Sequence, residues 1–269
     1  MVTVVAHRGA RSLAPENTLA AARKAYALGA DVWETDVAVT ADNQLVLMHD
    51  DAMTRTTNVE ERFPDRVPAA FSTYSLAEIR TLDAGSWFER EDPFGQIAAG
   101  AVSHWELAQY ADEKVPTLQE AFKLTLELDW FLNLELKAQP APKDDFDVVN
   151  AVLELADEVG IGSNHLLFSS AQLAWLKTLK QRRPEFEVQA ILGLFPEDPM
   201  NFGDVYFDTF NPRHTRLSID QLKQQVGRGL KLNPFTINDD ELIANLIEIG
   251  VAGLITDFPQ RIPRCIKYP

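Results

Sequence analysis

The sequence predicts a closed (β/α)₈ barrel of the TIM type, and three observations carry that expectation. Strand-like and helix-like segments alternate along most of the chain, as repeated βα units with a parallel sheet require. About eight such units can be read, the number that closes a parallel sheet on itself. The length of 269 residues suits one large α/β barrel, although on length alone two smaller domains remain open.

The elements follow in order. Val2–Ala6 is a short apolar run leading straight into His7-Arg8-Gly9. It is too short for a secretory signal and lacks a cleavage site, so it reads as a buried first strand and the chain as cytoplasmic. Pro15-Glu16-Asn17-Thr18 reads as a helix start, with Pro and an acid in the first turn, and Gly29 ends the Ala-rich helix. Residues 32–37 and 45–49 form strands joined by the turn at 40–44. Helices are expected at 117–128, 144–158, 171–181, 218–227 and 239–249. Strands are expected at 131–137, 165–170, 188–194, 205–211, 230–237 and 251–256. Residues 51–116 break the rhythm. A connection of that length should carry structure or function, and we read it as a subdomain inserted over the barrel mouth within one catalytic domain spanning 1–269.

Composition narrows the function. An apolar content of 46% excludes disorder, and no run of about 18 apolar residues exists to span a membrane. Cys265 is the only cysteine, so there is neither an intrachain disulfide nor a Cys-based zinc site, and a reducing compartment fits. Forty acidic against 25 basic residues give a net charge of −15, which argues against nucleic acid as a partner. An acidic chain handling an anionic substrate needs local positive charge, from a metal cation or from a few placed Arg and Lys residues.

Several residues could supply that chemistry. Glu34 and Asp36 lie two apart on a strand and so share a face. Two carboxylates side by side inside a barrel repel unless a cation sits between them, although a bare Glu-x-Asp at a strand end more often marks two solvated acids. Pairing strands 32–37 and 45–49 so that partners sum to about 85 sets His49 opposite Asp36, an inference that depends on register. Glu135 and Lys137 repeat the two-residue spacing on the polar side of a Leu-alternating strand, where an intrastrand ion pair is the plain alternative. His7-Arg8-Gly9 sits at the end of the first strand, the end that carries barrel active sites. Oxygen-only ligands select Mg²⁺, Ca²⁺ or Mn²⁺ over zinc. Two histidines can act as base and acid, and Arg and Lys suit phosphate oxygens. Together these describe metal-assisted phosphoester cleavage.

The same residues carry a resemblance. Ala6-His7-Arg8-Gly9, Pro15-Glu16-Asn17-Thr18 and Gly29 to Val37 resemble the glycerophosphodiester phosphodiesterase family, and the likeness continues through His49-Asp50, Thr54 to Asn58, Leu82 to Phe88, Asn133 to Lys137, Asn233 to Asn238 and Gly253 to Asp257. The resemblance implies a (β/α)₈ barrel with an insertion after the hairpin. It implies hydrolysis of small glycerophosphodiesters to sn-glycerol 3-phosphate and an alcohol, with one divalent cation, Mg²⁺ or Ca²⁺, Mn²⁺ being admissible. By the same resemblance His7 and His49 are the acid–base pair, Glu34, Asp36 and Glu135 the metal ligands, Arg8 and Lys137 the phosphate-binding groups, and Glu16 a residue that orients them. Departures cluster at the expected mouth: Ala171-Gln172, Pro234-Phe235, a long acidic stretch at 59–70 and an unusual one at 100–114. An alternative is a lysophospholipase D-like or phospholipase C-like enzyme acting on lipids. The absence of a basic amphipathic helix and the net charge oppose it. A non-catalytic phosphate-binding barrel would be expected to have lost a His or an acid, and none is lost. His104, His165 and His214 receive no role, and Cys265 is read as inert.

Overall fold

The wall of the molecule is a ring of parallel strands. Its regular members are β1 (Thr3–Ala6), β2 (Val32–Val39), β4 (Phe131–Leu136), β5 (Leu166–Ser170), β6 (Val188–Leu192), β7 (Thr209–Pro212) and β8 (Gly253–Thr256), with β3 (Leu45–Leu47) antiparallel to β2. The order β7-β6-β5-β4-β2-β1-β8 leaves β7 and β8 as the two ends of the sheet. Segment 231–237 bridges them. Phe210 pairs with Leu232 and Arg213 with Phe235, while Ala252 and Ile255 donate to the carbonyls of Leu232 and Pro234. The ring is thereby a (β/α)₈ barrel. This computed structural model describes residues 2–66, 70–203 and 206–263.

The barrel strand expected at 230–237 is present only as isolated bridges. Asn233 and Phe235 donate to β7, so by alternation the N–H of residue 234 should face β8. Pro234 has none, and a regular ladder cannot form on that side. The connection from β6 to β7 carries no helix among the described residues.

Helix α1 (Leu19–Ala27) begins later than the sequence suggests. Thr18 caps it by accepting from the Ala21 amide, and Pro15–Asn17 form a turn in which Asn17 takes a left-handed conformation (φ 55°). Glu16 and Asn17 are drawn out of the helix by partners in the barrel, described below. Among its described residues, the long connection after β3 contains the short α-helices α2 (Val59–Arg62), α3 (Leu76–Ile79), α4 (Ser86–Glu91) and α5 (His104–Tyr110). Met53, Val59, Phe71, Tyr74 and Ile79 pack on Ala38 and Val46 of the β2–β3 hairpin. Trp87, Phe88, Leu107 and Tyr110 pack on Leu13, Ala14 and Ala21. The connection is thus anchored to the first βα unit. Gly85 is required there, because a Cβ would lie 1.7 Å from the Tyr110 carbonyl oxygen.

The remaining helices, α6 (Leu118–Glu127), α7 (Val148–Val159), α8 (Leu173–Arg182), α9 (Ile219–Gly227) and α10 (Asp240–Ile249), cover the outer face of the ring. Helix α7 starts at Val148 rather than near 144, where Asp147 supplies the cap. Strand β7 starts at Thr209; residue 205, the expected start, lies outside the described residues. The main core lies between strands and helices and includes Trp33, Phe122, Phe168 and Phe186. The apolar cluster inside the ring is small, Val5, Val32 and Ile255 with Phe235 against it. Polar side chains therefore occupy much of the lumen. Among the described residues no helix is long and apolar enough to cross a membrane.

Candidate active site

The carboxylates come first, because strand register places them. On β2 the residues Glu34 and Asp36 alternate with the core residues Trp33 and Val37, and on β4 their register partners are Asn133 and Glu135. One oxygen from each of Glu34, Asp36 and Glu135 can be chosen so that all lie within 4.8 Å of one another. Glu34 Oε2 accepts the Arg8 amide at 2.8 Å, and Asp36 Oδ2 accepts Asn17 Nδ2 at 3.0 Å. Their other oxygens, Glu34 Oε1 and Asp36 Oδ1, are buried with no hydrogen-bond partner among the described residues.

Burial, then the neighbouring charge of Asp36, raises Glu34 well above the usual carboxylate range. The same two causes push Glu135 up to about 7. Asp36 goes the other way: burial is outweighed by Lys137, whose Nζ is 3.5 Å from Oδ1, and by Arg8. Three carboxylates converging in a largely buried site, two of them with an oxygen that accepts no hydrogen bond, suit a shared cation. The donor set is all oxygen and fits a hard divalent ion.

The two histidines reach the site by different routes. His7 follows β1, and its Nδ1 lies 2.6 Å from Asp257 Oδ1, just past the end of the neighbouring strand β8. Burial and then Arg8 lower the His7 pKa, and Asp257 itself, against its burial, is held low chiefly by His7. An ionised Asp257 accepts, so Nδ1 carries the proton and Nε2 is the free lone pair of a neutral ring. His49 does not sit opposite Asp36 as the sequence suggested. The hairpin register pairs Val37 with Leu47 and Val39 with Leu45, so partners sum to 84 and Met48 donates to Asp36. The slip does not displace His49 from the site, because β3 ends at Leu47 and the ladder no longer dictates where residue 49 points. Its Nδ1 lies 2.6 Å from Asp50 Oδ1, and Lys137 Nζ donates to its carbonyl at 2.8 Å.

Glu16 is the hub of the cations. It is buried and accepts Arg8 Nη1 at 2.8 Å, Arg11 Nη2 at 2.7 Å, and Arg55 through Nη1 and Nη2 at 3.0 and 2.7 Å. Those guanidiniums overcome its burial and hold it far below the usual range. Asn17 bridges the same turn to β2, accepting from Thr35 Oγ1 and donating to Asp36.

His7, Arg8, Glu34, His49, Glu135 and Lys137 all line one cavity of about 460 Å³ at the C-terminal ends of the strands. Asp36 lies beneath it, fully buried, and Glu16 behind Arg8. The cavity is also lined by Arg213, His214 and Phe235, the first two of which have no role in the sequence reading. Also without a role in the sequence reading were Arg11, Asp50 and Asp257. The available signal for Asp257 was its place after the last strand, which adjoins the first in a closed barrel. His165 bonds the Trp130 carbonyl through Nδ1 at 3.0 Å, away from the cavity, and His104 opens α5 on the surface. Cys265 lies outside the described residues.

Known proteins share this arrangement of chain. The model of the glycerophosphoryl diester phosphodiesterase family matches residues 7–261. The chain is 36% identical over 264 residues to the glycerophosphoinositol inositolphosphodiesterase GDPD2 of Mus musculus, covering 94% of this chain and 46% of that protein. It is 29% identical over 269 residues to a glycerophosphodiester phosphodiesterase of Caldanaerobacter subterraneus subsp. tengcongensis, covering 98% and 97%. It thus spans about half of the mouse relative and nearly all of the bacterial one. A solved structure of an Oleispira antarctica phosphodiesterase, in complex with the product sn-glycerol-3-phosphate, superposes with a TM-score of 0.77 at 28% identity, covering 97% of this chain and 94% of that one. The chain belongs to the glycerophosphoryl diester phosphodiesterase family, whose members are enzymes.

Proposed function

We propose that this chain hydrolyses small glycerophosphodiesters to sn-glycerol 3-phosphate and an alcohol. One observation carries the reading: a largely buried carboxylate trio, with two oxygens that accept no hydrogen bond, meets the cavity that both imidazoles line. The trio Glu34, Asp36 and Glu135 would hold one divalent cation, Mg²⁺ or Ca²⁺. Bound there, the ion would supply Lewis-acid stabilisation of charge on the phosphoryl group.

The chain's own residues do the rest. His7, neutral with Nε2 free, takes the proton from the attacking hydroxyl: from water directly, or from the glycerol 2-hydroxyl, in which case a water must then open the cyclic phosphate to give sn-glycerol 3-phosphate. His49, the more exposed ring and paired with ionised Asp50, in its imidazolium form passes a proton to the departing alkoxide. Arg8 and Lys137 balance the phosphate charge. Glu16 fixes Arg8 so that its amide and guanidinium face Glu34 and Asp36. The product held by the Oleispira antarctica relative supports this choice of products.

The test is a panel of glycerophosphodiesters, assayed after chelation and again with Mg²⁺, Ca²⁺ or Mn²⁺ restored. Turnover should vanish with chelator, return with a cation, and yield sn-glycerol 3-phosphate. Undiminished turnover in chelator, or release of the phosphorylated alcohol instead, would overturn the reading.

A further inference from the structure

Arg55, given no role above, lies in a continuous run of charged contacts that starts behind His49. Asp50 Oδ1 holds the His49 ring at 2.6 Å, and its Oδ2 accepts Arg55 Nε at 2.5 Å. Arg55 spends its two remaining nitrogens on Glu16, in a two-pronged contact at 2.7 and 3.0 Å. Glu16 in turn holds Arg11, which stands 3.5 Å from Asp257, the partner of His7. The two imidazoles are therefore joined by one chain of side chains through a buried carboxylate.

We propose that Arg55 is a positioning residue for the proton donor: its planar fork fixes Asp50, and through it the His49 ring, against the buried anchor Glu16. The inference rests on the proposed hydrolysis and adds a residue to it. The geometry is specific to arginine. Three nitrogens of one guanidinium serve two carboxylates at once, which an ammonium on a flexible stem cannot reproduce. The anchor does not depend on Arg55 alone, since Glu16 is almost inaccessible and is also held by Arg8 and Arg11. His49 itself is a third exposed and lies beyond the last paired residue of β3, so its backbone alone does not fix the ring. Arg55 also lies over Trp87 of α4, 6.0 Å from the ring centre, which ties the clamp to the long connection.

Two leaving groups separate positioning of an acid from a general loss of structure. Glycerophosphocholine releases choline as an alkoxide that needs a proton; the p-nitrophenyl ester of glycerol 3-phosphate releases a stable phenolate that does not. With the metal-loaded enzyme, Arg55→Ala should lower kcat for glycerophosphocholine about 10-fold or more. It should lower kcat for the p-nitrophenyl ester by less than about 3-fold and leave KM nearly unchanged for both. Arg55→Lys should fall between, and added guanidinium should restore part of the Arg55→Ala loss. Equal loss on both esters, or no loss on either, would overturn the proposal while wild-type turnover of both leaves the hydrolysis itself standing. Failure of the wild type on every glycerophosphodiester would instead remove the underlying reading. Should Arg55→Ala not fold, the ratio of the two rates in Arg55→Lys decides the matter in the same sense.

Discussion

Replacing Glu135 by Gln should stabilise this protein when no cation is present, and only at the higher pH. The folded chain holds Glu135 at about 7, against 4.5 for the free side chain, chiefly through burial and then Asp36. A carboxylate whose folded pKa is raised keeps its proton longer in the folded state. Stability is therefore lost as pH rises from about 4.5 to about 7 and stays low above it. That separation corresponds to about 3 kcal/mol. Coulomb's law gives the same order: unit charges 4.8 Å apart interact by about 3.5 kcal/mol at an effective dielectric constant of 20. In chelator at pH 8, Glu135→Gln should melt about 6 °C above the wild type, and at pH 4 the two should nearly coincide. Adding Mg²⁺ or Ca²⁺ should reverse the order, because the ion stabilises the wild type by mass action and has lost a ligand in the variant. Thermal melts at the two pH values, with and without cation, test all four cases. A variant no more stable than wild type in chelator at pH 8, or equal stabilisation of both by the cation, would refute the reasoning.

Further outcomes follow from the same geometry. His7→Ala and His49→Ala should each lower kcat about 10²-fold or more in a glycerol 3-phosphate release assay, and normal turnover of either would remove that residue from the mechanism. With His7 lowered below its ordinary 6.5 by burial and Arg8, the acidic limb of kcat/KM should fall below pH 6.5, since the base works only unprotonated; a limb above that value would contradict the assignment. Asp257→Asn should cut kcat about 10²-fold with little change in melting temperature, because an amide no longer dictates which nitrogen of His7 carries the proton. Gly85→Ala should destabilise the chain by about 2 kcal/mol or more, measured by urea unfolding, because the new methyl meets the Tyr110 carbonyl.

What the sequence made legible was whatever depended on short-range periodicity. The two-residue spacing of Glu34 with Asp36, and of Asn133 with Glu135 and Lys137, put those polar groups on one face of their strands, and the Leu alternation of β4 separated that face from the core. Register was less legible. The hairpin register lies one residue from the pairing centred on its turn, and His49 still reaches the cavity because β3 stops before it. Pro234 marked the weak strand, and its missing N–H was a visible warning against a regular ladder at 230–237. The partners of the histidines were the least legible. Asp257 lies 250 residues from His7, and only closure of the ring brings them together. Arg55 and Glu16 are 39 apart and meet through a turn whose conformation no periodicity encodes.

The central claim is that three strand carboxylates grip one divalent ion between the two imidazoles. A crystal structure grown with Mn²⁺ and sn-glycerol 3-phosphate addresses it most directly. The account predicts one anomalous peak within bonding distance of Glu34, Asp36 and Glu135, with the phosphate beside it and in reach of His7 and His49. Mn²⁺ bound elsewhere, or a phosphate seated away from the trio, would contradict it.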